Sequence, residues 1–404
     1  MSSIVMAVGM LVAGCSSRAS SGPAGGTGPI TFAADDPHGS VAGLVALWNA
    51  GHSAEQVRLA RLPAQPAAQH ATLLQNLASP SSGYDLVGLP SSDVAEFAAQ
   101  GWLRPLTGRL SLDTAGLVGP AVAAASYQGK LFAAPWDVDA GVLYYRSDLV
   151  HAAPTSWKQL AAACPTARRL QIGCFAGQYA KGADLTANVV EAVGSAGGQL
   201  LRPDGSTGDL KSAGVRNGLQ LLADSYRNGV IPKAALTYQA SQASQAFSSG
   251  SLLFMRNWFS SYHVVAESGI KPSFALAVLP GATGPGASAI AGHSLGLPAG
   301  AAHPATALAF IRFLQDADNQ RSRLENDGFG PVTTASYHDP AMRARFPQLA
   351  VLGQCLDRPA MQLSPDYPAI SQAISDSGYA AISGAEPVNA AIGRLQQAIA
   401  AATG

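Results

Sequence analysis

Charge is scarce in this chain. Asp, Glu, Lys and Arg make up 12% of its 404 residues, and 25 basic side chains balance 25 acidic ones, leaving no formal net charge. Nucleic acid is thereby excluded as a partner, because each phosphate neutralised needs its own Lys or Arg. No polybasic patch is available for a membrane surface either. Metal and nucleotide signatures are missing as well. The eight His form no H-E-x-x-H or comparable zinc spacing, and G-x-x-x-x-G-K-S/T does not occur. Neither a metal nor a cofactor is expected. No period of 20–50 residues repeats along the chain, which removes solenoids and propellers. What is present is ordinary globular material. Hydrophobic residues make up 48%, and 43 Gly with 26 Pro exceed the average without reaching the level of low-complexity disorder. The length suits about two to three domain equivalents of roughly 150 residues.

The N-terminus points to export. Ile4 to Val12 is a short apolar run, below the 18 or so residues of a retained bilayer-spanning helix. It reads as a signal-peptide core within residues 1–15, although no Lys or Arg precedes it as a positive n-region. The run ends in Val12-Ala13-Gly14-Cys15, which resembles the bacterial lipobox, in which the Cys thiol receives a diacylglycerol and becomes the mature N-terminus. Residues 16–29 are mostly Ser, Gly and Pro and read as a flexible tether. In an oxidising compartment Cys164 and Cys174 bracket a loop short enough to close as a disulfide, worth about 2–3 kcal/mol. Cys355 is left over and reads as a buried small apolar residue.

From Ile30 onward, short apolar runs alternate with helical periodicity, the mark of an α/β layer structure. Ile30 to Ala33 reads as strand. Ser40 is placed to cap a helix carrying Val41, Leu44, Val45 and Trp48 on one face. A strand at Val57 to Leu62, a helix with Leu73, Leu74 and Leu77 inward, and a strand at Tyr84 to Leu89 follow. That succession predicts parallel strands with right-handed crossovers and ligand-binding loops gathered at one sheet edge. Further on, strands are expected at Val142 to Tyr145, Phe274 to Leu279 and Ala289 to Leu297. Helices are expected after Thr155, over Asp184 to Gly197, Ala213 to Asn228 and Ala305 to Leu314, and again at Pro387 to Ala402.

Several segments in this order resemble the extracellular carbohydrate-binding lipoproteins of ABC importers, the maltose- and trehalose-binding members above all. They are Leu44-Val45-Ala46-Leu47-Trp48-Asn49, Tyr84-Asp85-Leu86-Val87, and Glu96 to Leu103 with Pro105-Leu106. Gly129 to Pro135, Leu143 to Leu149, Phe247-Ser248-Ser249-Gly250, Asn257-Trp258 and Arg358-Pro359 continue the match. Each piece is weak alone, and their order and spacing carry the resemblance over nearly the whole mature chain. It implies a periplasmic-binding-protein-like α/β fold of two lobes, with a hinge and a ligand cleft between them. By analogy the first lobe takes residues 28–137 and 263–314, the second 138–262 and 315–404. It also implies a monomer that captures a small oligosaccharide without chemistry and hands it to a membrane permease, anchored through lipidated Cys15 on the extracytoplasmic face of the cell membrane. An amino sugar or a glycerophosphodiester is the nearest variant ligand.

A sugar offers apolar C–H faces and a rim of hydroxyls, so its site wants aromatic plates beside carboxylates, amides and Arg. Trp258, next to Asn257, resembles the family's stacking Trp, with a core Trp as the competing role. Asp137 and Asp139, with Trp136 beside them, fall at the lobe crossover, and a solvated turn is the alternative. Asp35 and Asp36 follow the first strand, where either could instead cap the next helix. Arg358 resembles a ligand-binding Arg of trehalose-binding members, or else makes an exposed ion pair. Gly292 and His293 lie where the family brings backbone close to the sugar. Where trehalose-binding members carry an Asp after the third strand, this chain has Pro90, with Ser91, Ser92 and Asp93 just beyond. The family's acidic residue before Phe247 gives way to Gln239 to Gln242. These departures alter the hydroxyl pattern preferred.

The rival reading from another class is an esterase. Gly292-His293-Ser294-Leu295-Gly296 fits the G-x-S-x-G nucleophile elbow of α/β-hydrolases. That elbow demands strand, turn and an immediate helix, whereas Leu297-Pro298-Ala299-Gly300 continues as extended chain, so no enzyme is expected.

Overall fold

The computed structural model describes residues 26–79, 83–202, 205–270, 273–361 and 363–403. The signal peptide, Cys15 and residues 16–25 of the expected tether lie outside the described residues. In chain order the strands are β1 (Ile30–Ala34), β2 (Val57–Arg61), β3 (Leu86–Pro90), the small pair β4 (Ser126–Tyr127) and β5 (Lys130–Leu131), and β6 (Ala133–Pro135). Then come β7 (Asp139–Arg146), β8 (Gly173–Ala176), β9 (Leu252–Trp258), β10 (Phe274–Ala277), β11 (Ser288–Ala291), β12 (His293–Gly296) and β13 (Pro359–Ala360). They form a five-stranded sheet ordered β2-β1-β3-β12-β6 and a six-stranded sheet ordered β13-β11-β7-β9-β8, with β10 also on β7.

The first sheet is the one whose sequence pattern is plainest. β1, β2 and β3 run parallel, and β1 and β3 are near-continuous apolar runs because helices cover both faces. Ile30, Phe32, Leu86 and Leu89 are all buried. The helix Ser40–Gly51 buries Val41, Leu44, Val45 and Trp48, and the helix Pro66–Leu77 buries Gln69, Leu73 and Leu77. Phe32 packs edge-on against Trp136 at 5.8 Å and Phe310 at 5.6 Å. Because the chain runs from β1 out to β2 and returns past β1 to β3, the β1/β3 boundary is a topological switch point. Its crevice opens beyond the strands' carboxyl ends. Asp35 follows β1 there, and Ser91 and Ser92 follow β3.

In the second sheet β7 is central and buried along most of its length. It pairs with β9 on one side and with β10 and β11 on the other, all antiparallel. The expected disulfide is present: Cys164–Cys174 ties the helix Trp157–Arg169 to β8. Cys355 is buried and unpaired, and burial pushes its thiol up to about 12, consistent with a packing role.

The expected lobe boundaries shift in two places. The second stretch expected in the first lobe, residues 263–314, divides: β10 and β11 pair with β7 in the second sheet, and of its strands only β12 returns to the first. The apolar run Ala289 to Leu297 is therefore two strands in two sheets, broken at Gly292. Of residues 315–404, expected in the second lobe, the helix Ala317–Asp327 is bonded to the first. Ser40 Oγ donates to Asp327 Oδ2 at 2.5 Å, and Gln320 Nε2 donates to the carbonyls of Trp136 and Leu314.

Candidate functional site

A cavity of about 370 Å³ lies between the sheets. The first lobe contributes Asp35, Gln69, Ser91 and Ser92, and the second contributes Asp184, Trp258 and Ser260. Asp137, Asp139, Gly292 and His293 line it from the segments that cross between the lobes. Much of the remaining wall is alanine and aliphatic side chain.

The crossings are stitched side by side. Trp136 N–H donates to the His293 carbonyl at 2.9 Å, and Val138 and Gly330 exchange backbone hydrogen bonds of 2.9 and 2.8 Å. Gly292 sits at φ +132°, and a Cβ there would meet Val138 Cα at 2.9 Å, so the close approach of two crossings requires glycine. Its carbonyl accepts from Ser91 N–H at 2.9 Å, joining the crossing to the end of β3. Asp137 is the electrostatic centre. Its Oδ1 accepts from His293 N–H at 2.8 Å and faces His293 Nδ1 at 3.0 Å, while Arg323 Nη2 donates to Oδ2 at 3.0 Å. Burial alone would push the Asp137 carboxyl up, but His293 and Arg323 hold it below the ordinary carboxylate range. Burial pulls the His293 imidazole down, and Asp137 more than reverses that, leaving it raised. Arg323 also stacks over Trp136 at 4.3 Å and Phe329 at 4.8 Å.

Trp258 ends β9 and is braced from behind. Arg256 lies over its ring at 4.2 Å, and its Nε1–H donates to Asp184 Oδ1 at 2.8 Å. Arg256 is itself held by Glu191 through bonds of 2.8 and 2.5 Å and by Gln178 at 2.8 Å, all buried. A half-buried indole fixed on one face and at its edge presents its remaining surface to the cavity as a rigid plate.

Of the candidate residues, Asp35, Ser91, Ser92, Asp137, Asp139, Trp258, Gly292 and His293 are brought together around this cavity. The others stand elsewhere. Asp36 accepts from the N–H groups of Val41 and Ala42 and caps the first helix, displacing Ser40 from the expected capping role. Trp136 is 1% exposed and belongs to the first-lobe core. Gln242 is exposed and forms a capping box with Gln239. Asn257 is fully buried, and its amide donates to the Ala240 carbonyl and Ser244 Oγ. Arg358 is exposed and borders a different surface depression. Ser294 is fully buried in mid-sheet, between β3 and β6, with its Oγ 2.8 Å from Ser91 Oγ. The ring of His293 turns to Asp137 instead, so there is no nucleophile elbow.

Gln69, Asp184, Ser260, Phe329 and Tyr367 also line the cavity and were not singled out from the sequence. Gln69 is 3% exposed and its Nε2 has no hydrogen-bond partner. A buried amide donor left unpaired in a cavity wall is costly unless a ligand meets it. A signal existed: Gln69, Leu73 and Leu77 are spaced four apart, so the Gln occupies an inward position of an apolar stripe.

Asp139 gives a pH test. Its carboxylate accepts from Ser260 Oγ–H at 2.6 Å and from the N–H groups of Ser260 and Ala140, yet burial raises it from 3.8 to about 6. Between these values the unfolded chain has lost the proton and the folded chain keeps it. Stability therefore falls as pH rises through that window, by about 3 kcal/mol in all. Asp93, also raised by burial to about 6, adds a second decline, so the comparison must be with Asp139→Asn. Urea titrations from about pH 3.5 to 7 should show the wild-type-minus-variant unfolding free energy falling by about 3 kcal/mol. A pH-independent difference would exclude a buried, protonated Asp139.

Two α/β lobes joined by closely stitched crossings, with a lined cavity between them, define a solute-binding architecture. The chain belongs to the bacterial extracellular solute-binding proteins, whose family model matches residues 49–348. Membership makes it an extracytoplasmic binding protein and not an enzyme. A probable ABC transporter-binding protein of Deinococcus radiodurans is 29% identical over 280 residues, a stretch that spans 63% of this chain and 64% of that protein's length. Maltose-bound MalE3 of T. maritima superposes with a TM-score of 0.82 at 25% identity, covering 91% of this chain and 98% of that one. The GacH receptor of Streptomyces glaucescens, studied unliganded and with acarbose, shares the fold at a TM-score of 0.81 and 18% identity, covering 93% and 98%.

Proposed function

We propose that this protein captures a small oligosaccharide, a disaccharide of the maltose or trehalose kind, and delivers it to the permease of an ABC importer. In this reading it acts as a monomer held to the outer face of the cell membrane by a lipid on Cys15. The observation that carries the sugar assignment is Trp258, a braced aromatic plate that shares one cavity with Asp35, Gln69, Ser91, Ser92 and the Asp137–His293 pair. A plate for C–H faces and a set of donors and acceptors for hydroxyls is what a sugar ring requires. The similarity to maltose-bound MalE3 supports the class of ligand. Among the described residues no Lys or Arg lines the cavity, which disfavours a glycerophosphodiester. The carboxylates Asp35 and Asp184 keep an amino sugar in the test panel.

Micromolar capture corresponds to about 8 kcal/mol, and the closed form must be the one that ligand favours, so that a permease can tell loaded protein from empty. Calorimetric titration with maltose, trehalose, glucosamine and glycerophosphocholine, beside an ester-hydrolysis assay, tests the proposal. Micromolar or tighter binding of a neutral disaccharide and no ester turnover is expected. Binding of none of the sugars, or turnover abolished by Ser294→Ala, would overturn it.

A further inference from the structure

Ser91 and Ser92 follow β3 on the cavity wall, and each hydroxyl is tied from behind. Ser91 Oγ lies 2.8 Å from Ser294 Oγ, and by distance alone either could donate to the other. Burial decides between them. Ser294 is 0% exposed, on β12 between β3 and β6, and among the described residues its hydroxyl has that one partner. A hydroxyl carries one proton and two acceptor lone pairs. If Ser91 gave its proton to Ser294, the proton of Ser294 would have no acceptor and would stay unmet in the interior, which is unfavourable. Ser294 therefore donates to Ser91, and the proton of Ser91 is left for the cavity. The main chain of Ser91 is held as well, since its N–H donates to the Gly292 carbonyl at 2.9 Å. Ser92 is fixed the other way. Its Oγ–H donates to Asp93 Oδ1 at 3.0 Å, and burial raises the Asp93 carboxyl to about 6, so that it is ionised at about pH 8. A carboxylate only accepts. The Ser92 proton is thus committed, and its oxygen faces the same cavity with lone pairs alone.

We infer that this wall selects ligands by hydrogen-bond polarity, with Ser91 a donor fixed by Ser294 and Ser92 an acceptor fixed by Asp93. This rests on the sugar reading above and deepens it, naming how that site chooses among sugars of one size. The ligand must offer an acceptor to Ser91 and a donor to Ser92, which one hydroxyl or two neighbouring ones supply. Ser294 and Asp93 stand behind the cavity lining and act through the serines in front of them, so both are positioning residues. The serine of the G-x-S-x-G pattern thereby has a use that involves no nucleophile.

The test is calorimetric titration at about pH 8 with maltose, trehalose and their monodeoxy and monodeoxyfluoro derivatives, on wild type, Ser91→Ala, Ser92→Ala and Ser294→Ala. Fluorine in place of a hydroxyl accepts weakly and cannot donate. Ring positions whose deoxy penalty shrinks in Ser91→Ala or Ser92→Ala are those that face the pair. In Ser92→Ala, where Ser91 alone remains, the fluoro derivative at such a position should bind about threefold better than the deoxy one. In Ser91→Ala, where Ser92 alone remains, the two should be equally poor, each about tenfold below the parent sugar. Ser294→Ala should weaken the parent sugar about three- to tenfold when Ser91 is present and not at all in a Ser91→Ala background. A merely structural role would give the same loss in both. Should Ser294→Ala fail to fold, the fluorine comparison in the other two variants decides alone. Equal fluorine recovery in both variants, recovery beside Ser92 only, or no ring position that responds to either serine overturns the inference and leaves the sugar reading standing. A Ser294→Ala loss of equal size in both backgrounds does the same. Binding of no sugar by wild type overturns both readings.

Discussion

Replacing Arg256 by Met is expected to remove about 3–5 kcal/mol of stability, the range for breaking a buried ion pair from one side. Arg256 and Glu191 are 1% and 5% exposed at their side chains. Without the guanidinium, Glu191 keeps only the Ala289 N–H, 3.1 Å from its Oε1, and a nearly unpaired carboxylate in the interior must be protonated or drive the structure open. Gln178 Oε1 loses one of its two donors and keeps Asn188 Nδ2. Urea denaturation should show a lower midpoint with little change in slope. Adding Glu191→Leu to Arg256→Met should recover most of the loss, because the cost lies in the orphaned charge more than in the missing attraction. A single variant within about 1 kcal/mol of wild type would mean that the pair is solvated, with the value of a surface bridge. The effect should reach the ligand too, since Arg256 is what stiffens Trp258.

Trp258→Ala is the second large change, and it acts on binding. A pyranose face stacked on the indole hides roughly 100 Å² of apolar surface, which at about 25 cal/mol per Å² is about 2.5 kcal/mol. Affinity for the preferred sugar should fall about 50- to 100-fold, measured on a variant that circular dichroism shows to be folded. Trp258→Phe keeps a plate but loses the Nε1–H bond to Asp184, so its loss should be smaller, about tenfold or less, comparable to one hydrogen bond. Binding by Trp258→Ala within a factor of three of wild type would place the sugar elsewhere in the cavity.

The first lobe was legible because its physics is local. β1 and β3 are apolar runs flanked by helices whose inward residues recur at helical spacing, and Asp35, Ser91 and Ser92, expected from the resemblance, stand at the switch point on the cavity wall. The second lobe was harder for a specific reason. Ala289 to Leu297 is one apolar run, and periodicity cannot show that the chain changes sheets inside it; only Gly292, with its positive φ, marks the break. Carrying residues over by resemblance placed Trp258 and the crossing carboxylates on the cavity wall, and put residues elsewhere where a local bond competed. Asp36 was taken by a helix N-terminus, Gln242 by a capping box and Asn257 by the helix beside it. Asp184 was hidden because an acidic residue in a first helical turn already has a local explanation. Arg323 was hidden because its partner Asp137 lies 186 positions away in sequence.

The way the crossings lie side by side limits how this molecule can move. Strands bonded edge to edge, as Trp136 is to His293 and Val138 to Gly330, resist sliding along their length and twisting against one another, but bend readily across their common plane. Such a joint works like the leaf of a door and not like a ball in a socket. Asp137, Gly292 and His293 are at once part of the crossings and part of the cavity wall. A molecule seated in the cavity would touch the same atoms that join the two lobes.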